Sequence, residues 1–161
     1  MRVALQHATN KQNISDGIFY GLEKPADTLF ASTIPYCDIK LEPYAYNLEL
    51  AGQILDDAGW KMGSGNVREK DGQQLNIDLL YNSDSVTEKS IAEYLQSEYQ
   101  SIGVSLNIHG EEEQSYRDNM KAGNFDMVFN ICWGTPYDPQ SSLAAMRALY
   151  TAIMQHSSVW W

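Results

Sequence analysis

Basic residues are scarce in this chain. Its 11 Lys and Arg stand against 21 Asp and Glu, a net charge of −10. No Lys/Arg cluster occurs, which argues against binding nucleic acid or an anionic membrane surface, where such patches are needed. Cysteine is scarcer. Cys37 and Cys132 are the only two, too few and too isolated for a disulfide framework or a zinc cage. Both read as ordinary thiols, Cys132 within a strand, and a bridge between them stays open. Long apolar runs are also missing: none approaches the roughly 18 residues of a spanning helix, so no membrane insertion is expected. The N-terminus, MRVALQHATNKQ, lacks an apolar h-region, and no signal peptide is visible. There is no G-x-G-x-x-G or Walker loop, no G-x-S-x-G around any serine, and no His next to either Cys. No enzyme is expected.

What is present suits one folded α/β domain. Hydrophobic residues are 43% of 161 and charged residues 20%, enough to bury a core and too apolar for disorder. Residues 2–21 read as two short helices, with Val3, Ala4, His7 and Ala8 on one face, then Ile14, Ile18 and Phe19, ending at Gly21. Residues 22–43 hold Pro25, Pro35 and Pro43 and read as a long connecting loop. A helix over 47–58 carries Leu48, Ala51, Ile54, Leu55 and Ala58 at helical spacing, with Asn47 as N-cap and Gly59 just past the end. Asp71-Gly72 marks a hairpin whose second arm is the alternating run 75–81. Helix (about 86–102, with Ile91, Leu95 and Ile102, stopped by Gly103), strand (104–108), helix (111–122, stopped by Gly123) and strand (125–133) follow. The result is a mostly parallel sheet with right-handed βαβ crossovers plus a β-hairpin, and helices on both faces. Residues 141–156 read as one more amphipathic helix, with Leu143, Met146, Tyr150 and Ile153 on one side.

The stretch 124–142, NFDMVFNICWGTPYDPQSS, carries the most information. A largely apolar run, 127–133, reads as a strand buried on both faces, and it ends in a Gly- and Pro-rich loop. Trp133 and Tyr137 stand where such a strand ends, the place where open α/β sheets bind ligands. Large, rigid aromatics with polar tips suit a small-molecule pocket, although the same residues could plug the sheet end and a surface turn. The histidines (His7, His109, His156) fit no metal-ligand spacing, so no metal site is expected. Glu111, Glu112 and Glu113 read as the acidic start of a helix, favoured by its dipole, rather than a carboxylate cluster.

Four separated segments resemble one family. These are Arg2-Val-Ala-Leu-Gln-His-Ala-Thr-Asn-Lys11, Ala58-Gly59-Trp60, Phe125-Asp126-Met127 and Trp133-Gly134-Thr135-Pro136-Tyr137-Asp138-Pro139. Together they look like the second lobe of the large extracytoplasmic solute-binding proteins of ABC importers, of the dipeptide, oligopeptide and nickel type. The likeness spans 1–148, as a partial second lobe truncated at its C-terminus. Residues 149–161 form a divergent tail, helical to about 156. The resemblance implies a periplasmic or secreted binding module with no resident cofactor, whose ligand in the intact family is a metal chelate, nickel above all, or a peptide. It implies hinge closure of two lobes and docking on an ABC permease, with Trp133 and Tyr137 lining the ligand pocket. Nickel binders of this kind take a histidine from the loop after the Trp-Gly pair. That stretch has none here, so the metal-site histidine is expected to be lost; tight binding by this chain alone is not expected because half the cleft is missing. An alternative class is a stand-alone protein-interaction module that self-associates or binds an unrelated protein through the exposed lobe face or the Val159-Trp160-Trp161 end.

Overall fold

In the computed structural model, which describes residues 1–28, 34, 37–38 and 40–130, a three-stranded parallel sheet organises the chain. Its strands are β4 (Asn76–Asn82), β5 (Ser105–Glu111) and β6 (Met127–Val128), in the order β5-β4-β6. The linking segments are helices α4 (Val86–Ser101) and α5 (Glu113–Ala122). The β4–β5 register pairs Ile77 with Leu106, Leu79 with Ile108 and Tyr81 with Gly110. Because side chains alternate, these pairs share one face, and it is the core face. There Ile77, Leu79, Tyr81 and Leu106 pack with Ala92, Leu95 and Tyr99 of α4. The Tyr81 ring lies over Gly110, where a Cβ would fall 2.6 Å from its hydroxyl. The opposite face pairs Asp78 with Asn107, Leu80 with His109 and Asn82 with Glu111, and α5 lies on that side. Helices therefore cover both faces, as the alternating pattern predicts.

The other elements close the core face. Helices α1 (Arg2–His7) and α3 (Leu48–Asp57) contribute Ala4, Ala51 and Leu55, and Ala8 follows α1; all four are fully buried. Helix α2 (Lys11–Ile18) is capped by Asn10, whose side chain accepts from the Asn13 N–H. Asn47 does the same for α3 through Leu50 N–H, and Gly59 follows the helix at φ +87°, a conformation glycine adopts without strain. Strands β1 (Lys61–Met62), β2 (Arg68–Lys70) and β3 (Gln73–Gln74) form a small antiparallel sheet. Asp71 and Gly72, both at positive φ, make the tight turn between β2 and β3.

Arg68 joins these pieces. It is buried, and its guanidinium donates to the carbonyls of Ile102 and Trp60, at 2.7 Å each, and to Asp56 at 2.9 Å. That hydrogen bond and the guanidinium charge hold the Asp56 carboxyl below its ordinary pKa. A buried cation needs such partners, since an unpaired one would be expelled or unfold its surroundings.

Several expectations are corrected. The hairpin's second arm is Gln73–Gln74, and the chain then changes sheets at Leu75. There the Leu75 N–H donates to Arg68 O while Leu75 O accepts from Ser105 N–H. Val3 is 42% exposed, and the partly buried Leu5 packs on the core instead. The strand set at 104–108 runs 105–111, so Glu111 ends a strand, Glu112 is the N-cap of α5, and only Glu113 lies in its first turn. In the strand placed at 125–133, pairing among the described residues is confined to Met127–Val128. Met127, Val128 and Phe129 are only half-buried, not enclosed on both faces. The helix at 141–156, the tail and Cys132 lie outside the described residues.

Candidate binding edge of the sheet

The strand order marks a switch point. From β4 the chain crosses to β5 on one side, then returns past β4 to β6 on the other. The strand order reverses at β4, and the space outside the carboxyl ends at such a reversal is the general ligand position in open α/β sheets. Here that position lies between the ends of β4 and β6.

Side chains shape this edge. Phe129 N–H donates to Leu80 O, so in a continuing parallel ladder Phe129 C=O would accept from Asn82 N–H. It does not. The Glu88 carboxylate of α4 accepts the Asn82 N–H at 2.9 Å, and the Tyr116 hydroxyl of α5 donates to Phe129 C=O. Two side chains thus replace one rung, and the β4–β6 ladder ends at Phe129. At the other end of β6, Asp126 clamps Asp78 twice: its carboxylate accepts from Asp78 N–H at 2.9 Å, and its N–H donates to Asp78 O at 3.0 Å.

Further groups hold the edge rigid. Asn82 Nδ2 donates to Glu113 at 2.6 Å, and its Oδ1 accepts from Asp84 N–H. Ser85 caps α4 by accepting from Glu88 N–H. Burial, then the charges of Glu88 and Glu113, push the Tyr116 phenol up to about 12, so it remains a protonated donor at neutral pH.

The polar face beside this edge bears a shallow cleft of about 240 Å³, lined by Asp78, Leu80, His109, Glu111, Asn119, Asn124 and Phe125. Asn107 Nδ2 donates to Asp78 Oδ1 at 3.0 Å, and His109 Nε2 pairs with the same oxygen at 3.1 Å. Both contacts, Asn107 first, hold the Asp78 carboxyl below its ordinary range. His7 takes no part in the cleft. Its Nδ1 bonds Ala45 O at 2.7 Å and its ring meets Tyr44 edge-on at 5.3 Å, fastening the long loop to α1. Among the described residues no group of three or more His, Cys, Asp or Glu side chains is arranged to hold a metal ion. No described helix is long and apolar enough to cross a membrane.

Trp133 and Tyr137 lie outside the described residues, as does His156. The structure therefore describes β6, which precedes the two aromatics, and the chain as far as Asn130, but not the aromatics. Sequence reasoning missed Tyr116, Glu88 and Asp126 as the groups that shape this edge. The S-x-x-E pattern at 85–88 signals a helix start, but not that its glutamate serves β4 instead.

Comparison with known proteins places the chain. The model of bacterial extracellular solute-binding proteins, family 5, middle region, matches residues 1–151. The nickel-binding periplasmic protein of Escherichia coli (strain K12) is 40% identical over 148 residues, covering 91% of this chain and 28% of that protein. The structure of NikA from Brucella suis in complex with Fe(III)-EDTA superposes with a TM-score of 0.87 at 42% identity, covering 96% of this chain and 31% of that one. NikZ from Campylobacter jejuni in complex with Ni(L-His) superposes at 0.77 with 28% identity, over 87% of this chain and 27% of that one. The chain thus spans under a third of the length of these relatives. They are solute-binding proteins, not enzymes.

Proposed function

The chain belongs to the bacterial extracellular solute-binding proteins, family 5, and from that premise we propose that it forms one wall of a cleft for a chelated metal, nickel foremost, or a peptide. Trp133 and Tyr137 are the ligand contacts, and the whole protein delivers its ligand to an ABC permease. The observation that carries this reading is the end of the β4–β6 ladder at Phe129, at the switch point of the sheet and just before the Trp133–Tyr137 motif. The ligands of the two nickel-type relatives, Fe(III)-EDTA and Ni(L-His), favour a chelate over a bare ion. The lack of a histidine between Trp133 and His156 agrees with that preference, because a chelate brings its own ligands.

A single wall binds weakly, since closure of two lobes supplies the desolvation and the remaining contacts. Isothermal titration with Ni²⁺ and with a Ni²⁺–polycarboxylate chelate tests the reading. The expected result is weak binding of the chelate, lost in Trp133→Ala and Tyr137→Ala, and none of bare Ni²⁺. Chelate binding that survives both substitutions would move the site elsewhere. No binding together with a stable multimer in solution would favour the interaction-module alternative, for which Tyr20 and Leu22, 85% and 87% exposed just past the end of α2, are the available contact groups.

A further inference from the structure

The two-residue strand β6 is held by side chains at both ends, and its carboxyl end is cut by groups from two different helices. We infer that Tyr116 and Glu88 are positioning residues, which end the β4–β6 ladder at Phe129 and so set where the chain leaves the sheet ahead of Trp133 and Tyr137. The inference rests on the reading of those two aromatics as ligand contacts.

The argument is one of competition for hydrogen bonds. Asn82 N–H and Phe129 C=O are natural partners in the observed register. Buried backbone groups must be paired, so if both were free they would bond each other and carry the ladder one rung further. Each is instead occupied from outside the sheet, Asn82 N–H by the Glu88 carboxylate at 2.9 Å and Phe129 C=O by the Tyr116 hydroxyl. A carboxylate acceptor outcompetes a neutral carbonyl, because charge-assisted hydrogen bonds are roughly twice as strong. Glu88 is fixed in turn by its place in the first turn of α4, where the helix dipole favours a negative charge. Tyr116 is buried on the α5 side of the sheet, with Glu88 and Glu113 near its ring. Asn82 ties the two helices together, bonding Glu88 through its N–H and Glu113 through its side chain. The groups that end the ladder thus form one connected cluster across the ends of α4, α5 and β4.

The test uses the full chain, with the indole N–H resonance of Trp133 assigned through Trp133→Phe and that of Trp60 as an internal reference. Tyr116→Phe removes only the hydroxyl. Glu88→Ala removes the competing acceptor, and Glu88→Gln retains an acceptor oxygen. The expected result is a displaced or broadened Trp133 signal in Tyr116→Phe, in Glu88→Ala and most of all in the double variant. The Trp60 signal stays in place, and Glu88→Gln, which keeps an acceptor oxygen but loses its charge, falls between the wild type and Glu88→Ala. A Trp133 signal unmoved in all three variants would overturn the inference. So would Trp60 and Trp133 moving together, since that reports a general loosening. Titration of the same proteins with a Ni²⁺–EDTA chelate forms a separate arm. Where the wild type binds, Tyr116→Phe is expected to weaken affinity about tenfold with the melting temperature changed by only a few degrees. Where the wild type does not bind, the functional reading fails while the resonances still decide the positioning claim.

Discussion

The two ends of β4 are built on different principles. At its amino end the backbone does the joining: Leu75 N–H donates to Arg68 O, Ser105 N–H to Leu75 O, and Arg68 N–H to Gly103 O. Arg68, a buried cation there, directs its donors to carbonyls and a carboxylate at the ends of α3 and α4 and of the turn before β1. At the carboxyl end side chains interrupt the backbone: Glu88 and Tyr116 occupy groups that a regular ladder would have paired, and Glu113 binds the Asn82 side chain beside them. An end stitched by backbone supports the fold, and its side chains are free to vary wherever packing allows. An end finished by side chains gives up regularity for shape, which a crevice requires. On the proposed reading, the sheet thus separates stability from binding along a single strand.

Substitutions can break or sharpen this contrast. The largest effect is expected at the amino end. Arg68→Met leaves the Ile102 and Trp60 carbonyls without donors and should cost about 3 kcal/mol, or roughly 10 °C in melting temperature. Chemical denaturation should show the loss in midpoint with an unchanged slope. A loss under about 1 kcal/mol would mean that the amino end is not the anchor described. Next comes Gly103→Ala. A Cβ there would lie 2.7 Å from Met62 Sδ and 2.9 Å from Arg68 Cγ, on a backbone at φ +79°. Strain and crowding together should cost about 2 kcal/mol, read from the same denaturation curves.

The carboxyl end should respond more mildly in stability. Ser85→Ala removes the α4 cap and should cost about 1 kcal/mol, with Asn or Asp restoring most of it. A loss as great as that of Arg68→Met would erase the distinction between the two ends. The smallest effect is on acid stability. The Asp78 carboxyl is held below its ordinary value of 3.8 by Asn107 and His109. A lowered folded pKa gives stability that is present above the ordinary value and lost as pH falls through the folded one. Asp78→Asn should therefore lose a small amount of stability at neutral pH, where the carboxylate contributes, and show a flatter profile below about pH 3.8, where the wild type loses that contribution. Urea midpoints measured from pH 5 to 2 would show it. A mutant profile parallel to the wild type would mean that the carboxylate gains nothing from these contacts.

Much of this architecture is legible in the sequence because its signals are local. Asn47 and Gly59 bracket α3, Gly103 and Gly123 follow α4 and α5, and Asp71-Gly72 turns the hairpin. Each of these residues acts on the backbone within a few positions of itself. What could not be read depends on distant pairing. No Gly, Pro or other turn signal in residues 73–82 marks the change of sheet at Leu75, where the polar Gln73-Gln74 pair runs straight into the alternating residues 75–79. Arg68 lies in a polar stretch and reads as a solvent-facing strand residue, because the groups that bury it come from other elements. Tyr116 stands in an acidic helix with Met120 as its sole apolar neighbour at helical spacing, so only the register of β6 reveals its use. The family was legible through its separated motifs. The edge residues that end the ladder were not, because competition for a hydrogen bond leaves no periodic trace.

The brevity of β6 has a kinetic consequence. The β4–β5 pair, with α4 between, closes over a short span, as the 29-position separation of Asp78 and Asn107 shows. The clamp between Asp78 and Asp126 spans 48 positions and secures only a two-residue strand. Loop-closure entropy rises with span, while so short a pairing offers little to offset it, so β6 docks after the rest of the sheet has formed. By the same balance it detaches first, in a local opening far less costly than global unfolding. Exchange of the Met127 and Phe129 amides with solvent deuterium should therefore outpace that of the Leu79 and Leu106 amides by orders of magnitude. The strand that leads to the ligand motif is thus the last part of the sheet to assemble and the first to yield.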